Sequence, residues 1–151
     1  MKLAVRTLCI LVYLVITACA TIPPTPQKAI TLPVSFNDVW FRSTLAQPLL
    51  LVMTDTGTVI VSSNCISFAG EKSHVDIDYS KIQKVSFEKF GMDLINNWVT
   101  IKYERDNMES FALLTGGKAL GWGGAGVAAE IFQTLDSALQ QKGLSSVVQR
   151  K

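Results

Sequence analysis

Between residues 49 and 115 the chain alternates apolar and polar side chains with a period of two, and this pattern restricts its possible folds more than any other feature. Successive side chains of a strand point to opposite faces, so such runs bury one side and must lie edge to edge to pair their backbone groups. Seven runs stand out, over residues 49–54, 58–63, 65–69, 74–78, 82–87, 98–104 and 109–114. In the run 98–104, Val99, Ile101 and Tyr103 share one face while Thr100, Lys102 and Glu104 share the other. Asp55-Thr56-Gly57, Asn64, Gly70-Glu71-Lys72, Ser80-Lys81 and Arg105-Asp106-Asn107 read as the intervening turns, because each holds a residue that tolerates positive φ or bonds its own backbone.

Helical spacing flanks these runs. Ahead of them, Ser35 as N-cap, Asp38 in the first turn, and Phe36, Val39, Trp40 and Thr44 on one face predict a short helix that ends before Pro48. It would contribute Phe36 and Trp40 to the core. After the glycine-rich stretch 116–126, residues Val127, Ala128, Ile131, Phe132, Leu135, Ala138 and Leu139 form an apolar stripe, with Glu130, Gln133 and Asp136 opposite. Gly143 supplies the stop, and 144–151 is expected to fray. The stripe has to cover something, and the apolar face of the sheet is the natural target. The expected class is mainly β with helices, an α+β domain.

Seven short antiparallel strands closed by one C-terminal amphipathic helix resemble the pleckstrin-homology-like superfamily, which includes GRAM and bacterial PH-type domains. The pieces that carry the resemblance are Ile66-Ser67-Phe68, the stretch Ile77-Asp78-Tyr79-Ser80-Lys81-Ile82-Gln83-Lys84-Val85, and the helix over 127–139. It implies a seven-stranded sandwich or barrel capped by the helix. The predicted helix before the first strand departs from the simplest form of that fold.

The N-terminus carries a different signal. Lys2 and Arg6 precede an apolar run over 8–16 and the small pair Thr17-Ala18, the layout of a secretory signal. The run is shorter than the roughly 20 apolar residues that span a bilayer, and Pro23, Pro24 and Pro26 follow it. Leu14-Val15-Ile16-Thr17-Ala18-Cys19 resembles a bacterial lipobox. That resemblance implies removal of 1–18, lipidation of Cys19 with palmitate-type chains and, with Ala20 following, sorting to the outer membrane. The expected organisation is then a signal peptide (1–18), a lipidated cysteine with a proline-rich tether (19–32), one PH-like domain (33–143) and a tail (144–151). The tether, if extended, reaches at most about 40 Å.

Cleavage alters the charge and the thiol count. Losing Lys2 and Arg6 reduces fourteen basic residues to twelve, equal to the twelve acidic ones, so no basic excess remains to engage a nucleic acid. Cys9 leaves with the signal and Cys19 would be acylated, which leaves Cys65 without an intramolecular partner. Its alternating context reads as a half-buried thiol.

Four patterns invite chemistry. Asp55-Thr56-Gly57 resembles the aspartic-protease signature, with Ala119-Leu120-Gly121 similar to that family's second element; a chain this short would have to dimerise to pair two carboxylates. The competing reading is a turn. Gly121-Trp122-Gly123-Gly124-Ala125-Gly126 fits G-x-G-x-x-G, but no βαβ unit follows, and Ala119 after Lys118 stands where a phosphate loop needs Ser or Thr. His74, Asp76 and Asp78 fall on one strand face about 7 Å apart, which suggests a metal; a solvated face is the simpler reading. Finally, residues 90–97 carry Phe90, Met92, Leu94 and Ile95 between two strands, and these together with Trp122 are the candidates for interaction or for tucking under the sheet.

The sequence therefore predicts a non-catalytic lipoprotein of the cell envelope, held in the membrane through Cys19 and binding another envelope protein or a lipid-associated partner, with no cofactor or metal. The alternatives are a homodimeric retropepsin-like hydrolase using Asp55, and a structural subunit of an envelope assembly.

Overall fold

The computed structural model describes residues 30–45, 54–89, 96–117 and 124–150. Eight strands form one sheet: β1 (Val34–Arg42), β2 (Asp55–Val61), β3 (Cys65–Gly70), β4 (His74–Asp78), β5 (Ile82–Lys89), β6 (Asn97–Arg105), β7 (Met108–Gly116) and β8 (Val148–Gln149). The order across the sheet is β4-β3-β2-β1-β7-β6-β5-β8. Among the described residues one long helix, α1 (Gly124–Gln141), follows β7. The molecule is thus mainly β sheet with one C-terminal helix.

The sheet curls on itself. Ile66, Phe68 and Ile77 from β3 and β4 line the same small gap as Ile101, Ala112 and Leu114 from β6 and β7. Ala128, Ile131, Leu135, Ala138 and Leu139 of α1 join these residues in one continuous core, so the helix covers the inner face as its apolar stripe requires. Gly143, at φ +74°, and the bond from Leu144 N–H to Leu139 C=O terminate the helix at the predicted stop.

The helix predicted over Ser35 is instead β1. Three residues of β1 span what two span on β2, since Phe36 lies opposite Val59 while Val39 lies opposite Gly57. This bulge, with Asp38 at φ +55°, turns Phe36, Val39 and Phe41 all toward the core. The i, i+3 spacing of Phe36 and Val39 that imitates a helix is the imprint of one extra residue. Two hydrogen-bonded neighbours, β2 and β7, and the β-preferring Val39-Trp40-Phe41 then outweigh the capping pattern. Phe36 is in the core as expected, but Trp40 is only half-buried.

Three other readings are corrected. Asp55-Thr56-Gly57 is not a turn but the opening of β2. The run expected over 49–54 lies almost wholly outside the described residues, and among the described residues β1 and β8 join the six strands that match the other runs. Residues 144–150 do not fray: a 3-10 turn (Ser145–Val147) leads into β8, which pairs in parallel with β5 through Val85 and Ser86.

Arg150 then anchors the end of the chain. Its guanidinium donates to both oxygens of the buried Asp136 carboxylate, through Nε at 2.9 Å to Oδ2 and through Nη2 to Oδ1. Replacing Arg150 with alanine leaves Asp136 with Gln140 as its remaining side-chain donor. The expected loss is about 1–2 kcal/mol in a urea titration, with hydrogen exchange quickening first in β8.

Candidate functional site

The residues with catalytic promise are set by the β2, β3 and β4 ladders. Asp55 begins β2 opposite Phe41, and its carboxylate turns into the β3–β4 connection. Oδ2 accepts from Lys72 N–H at 2.8 Å and Ser73 N–H at 2.7 Å, and Oδ1 accepts from Thr56 N–H at 2.8 Å. Burial works to raise the pKa of this group, but the amides of Lys72, Thr56 and Ser73 outweigh it and hold the carboxyl below the ordinary aspartate range. Gly70 makes the arrangement possible, since a Cβ there would overlap the Asp55 carboxylate. Chemically, Asp55 is an anion neutralised by three main-chain dipoles. It ties β2 to the β3–β4 turn.

This bonding has a pH signature. Because the folded pKa is lowered, the stabilising contribution of Asp55 is complete above the unfolded value of about 3.9 and disappears as pH falls through the folded one. Asp55→Asn, which points an amide donor or loses one acceptor toward the Lys72 and Ser73 N–H groups, is expected to lower Tm by about 5 °C at neutral pH. The gap from wild type should close in thermal scans taken progressively below about pH 4. A constant gap down to the acid limit would contradict the assignment.

On β4, His74 Nε2 and Asp76 Oδ2 approach to 2.9 Å on an exposed face. Asp78 bonds elsewhere. Its Oδ1 accepts from the N–H and hydroxyl of Ser80 at 2.8 and 2.7 Å, capping the 3-10 turn Tyr79–Lys81. Those two bonds lower its pKa. The three residues predicted to share a face are therefore split into a His74–Asp76 contact and a cap at Asp78. Among the described residues no group of three or more His, Cys, Asp or Glu side chains is placed to hold a metal ion.

Strand register brings together residues that periodicity does not connect. The β4 edge faces the end of β6 across an open cleft of about 360 Å³, lined by His74, Asp76, Asp78, Lys81, Tyr103 and Arg105 among others. A second cleft, of about 410 Å³, lies between Ser43, Thr44 and Leu45 and the residues Glu109, Ser110 and Phe111. Tyr103 and Arg105 border both clefts. Asp106 and Asn107, both at positive φ, form the two-residue turn between β6 and β7, and Met108 beside it is exposed to 66%. The turn was legible in Arg105-Asp106-Asn107; the clefts were not, because they depend on which strands become neighbours.

Cys65 is a free, half-buried thiol opposite Asp78. Tyr79 packs in the core and donates its hydroxyl to Ser62 C=O at 2.7 Å, with burial, and then the nearby Cys65, pushing its pKa up. Cys19, Phe90, Met92, Leu94, Ile95 and Trp122 lie outside the described residues, as does the first half of the G-x-G-x-x-G stretch; its last three residues, Gly124 to Gly126, are the first turn of α1. No described helix is long and apolar enough to cross a membrane.

No family model matches this chain, and no curated protein does. Among solved structures it is similar to the hSac2 domain from the human phosphoinositide phosphatase Sac2, with a TM-score of 0.50 over 98% of this chain and 86% of that one. The likeness is one of fold. At 14% identity it supports a β-rich domain with this architecture and says nothing of shared chemistry.

Proposed function

We propose that this chain is a lipid-anchored lipoprotein of the cell envelope whose PH-like domain binds another envelope protein or a lipid-associated ligand without catalysis. The observation that carries the non-catalytic reading is the bonding of Asp55, the best catalytic candidate in the sequence, whose two oxygens are occupied by main-chain amides. Those amides stabilise the carboxylate, and a carboxyl held below the ordinary aspartate range is a poor proton acceptor. What the described surface offers instead is two open clefts, both bordered by Tyr103 and Arg105, and the exposed Met108 at the start of β7. An exposed methionine beside grooves of mixed charge suits a protein surface that can close over it.

An antiparallel run of strands in the order β4-β3-β2-β1-β7-β6-β5, followed in the chain by a helix that closes the core, supports the PH-like assignment. The anchoring part of the proposal rests on Ile16-Thr17-Ala18-Cys19.

Crosslinking in intact cells followed by purification of the full chain tests the binding reading. One envelope partner or lipid should be recovered with wild type and with Asp55→Asn alike, and its yield should fall when Met108 and Arg105 are replaced together by serine. Peptide hydrolysis by the wild type that Asp55→Asn abolishes, with its fold retained by circular dichroism, would overturn it.

A further inference from the structure

We propose that strand β4 pairs antiparallel with β4 of a second copy of this chain, about a two-fold axis at Val75. Strand β4 ends the sheet, and among the described residues β3 is the strand hydrogen-bonded to it. The ladder decides which of its main-chain groups are used. Gly70 N–H donates to Ser73 C=O at one end of the β3–β4 pairing, and Tyr79 N–H donates to Asn64 C=O at the other. Such bonded pairs recur at every second residue of an antiparallel ladder, so Val75 and Ile77 turn their N–H and C=O groups toward β3. His74, Asp76 and Asp78 turn theirs to the opposite edge. The residues of β4 from His74 to Asp78 all line the cleft of about 360 Å³, and this edge opens onto it.

The two ends of the sheet are treated differently. At the β5 end, the chain's own β8 covers Val85 and Ser86, and Arg150 fastens it to Asp136. Among the described residues β4 has no such strap. Its register with β3 is unbroken and it contains no proline, so neither a bulge nor a missing N–H blunts the edge.

Charge selects the occupant. From Lys72 to Asp78 the sequence reads Lys-Ser-His-Val-Asp-Ile-Asp, with the donors at one end and the carboxylates at the other. Laid antiparallel on itself with Val75 opposite Val75, this strand sets His74 against Asp76 of the second copy on both sides of the axis. One pair further out, Lys72 meets Asp78. His74 and Asp76 are also the residues whose main-chain groups point outward, so the same register makes each His74–Asp76 pair a hydrogen-bonded one. Other registers with that bonding lose the match. An axis at Asp76 sets two Asp76 carboxylates against each other, an axis at Ile77 sets Asp76 against Asp78, and an axis at His74 opposes the two imidazoles; like charges directly opposite are destabilising. Inside one copy, His74 Nε2 already lies 2.9 Å from Asp76 Oδ2, so pairing gathers two imidazoles and two carboxylates on one exposed face.

The inference goes beyond the proposed function. It fills the cleft along β4 with a second copy and leaves the cleft beside Leu45 for the envelope partner.

Val75 on the axis forms a non-hydrogen-bonded pair, whose Cα atoms lie about 4.5 Å apart, within the span of a disulfide. The purified full chain carrying V75C, with its fold checked by circular dichroism, should on mild oxidation give a dimer linked through position 75, identified by mass spectrometry of unreduced peptides. E71C is the control, since Glu71 is more exposed than Val75 but the register holds its two copies about 26 Å apart. Adding H74D to V75C sets carboxylate against carboxylate and should slow linking about tenfold. Adding D76H as well exchanges the two roles and should restore the rate, which also shows that the strand still folds. The unmodified chain should be a dimer by light scattering corrected for bound detergent. A monomer there, linking through E71C as fast as through V75C, a rate indifferent to H74D, or a swap that restores nothing would overturn the proposal.

Discussion

Alanine at Gly57 is expected to leave almost no folded protein. Gly57 sits in the middle strand of a three-strand crossing, paired with Val39 of β1 on one side and Gly70 of β3 on the other. A Cβ there would fall inside the van der Waals envelope of the Ala69 carbonyl oxygen and close to the Gly70 backbone. Both obstacles are main chain, so no rotamer change relieves them; β2 and β3 would have to part. Such overpacking costs at least about 3 kcal/mol, a large share of the stability of a domain this size. Gly126→Ala is the matching control. It lies in α1 with nothing within 4 Å of an added Cβ, so helix propensity should make that variant more stable by up to about 1 kcal/mol. Soluble yield and urea midpoints should therefore move in opposite directions for two substitutions identical in chemistry.

Truncating Leu135 to alanine is the second large expected effect. Leu135 is fully buried at the centre of α1 and packs with Ile131 and Leu139 against the inner face of the sheet. Removing it should cost about 2–5 kcal/mol, the spread reflecting how far the helix can settle toward β6 and β7. The urea midpoint should fall with little change in the slope of the transition. A loss below about 1 kcal/mol would mean that α1 is not the cover of this core.

Where alternation was strict, the strands were legible. The run 74–78 is β4 residue for residue, and those over 82–87, 98–104 and 109–114 lie inside β5, β6 and β7. Val99, Ile101 and Tyr103 do face the core. The helix was equally readable, because an apolar stripe over Val127 to Leu139 has one geometric meaning; only its start, at Gly124 within a glycine-rich stretch of poor helix propensity, was missed.

β1 was hidden because a bulge at Asp38 copies helical spacing, and β8 because two residues carry no periodicity and gain their order from β5 and the Arg150–Asp136 pair. Asp55 shows the limit most clearly. Its neighbours in sequence suggest a hairpin turn or a catalytic triplet, whereas its bonding partners, Lys72 and Ser73, come from a turn 17 and 18 residues away. Nothing local announces them. The same holds for the two clefts around Tyr103 and Arg105, one formed where β4 meets the end of β6 and the other where residues 43–45 after β1 meet β6 and β7.

The central claim is that a β-rich binding domain is held at a membrane through Cys19, and the intact mass of the protein extracted from its native membrane tests it most directly. The account predicts a chain of residues 19–151 whose N-terminal cysteine carries acyl mass, with Cys65 still a free thiol. A chain that retains residues 1–18, or one that begins at Cys19 without acyl mass, would contradict it.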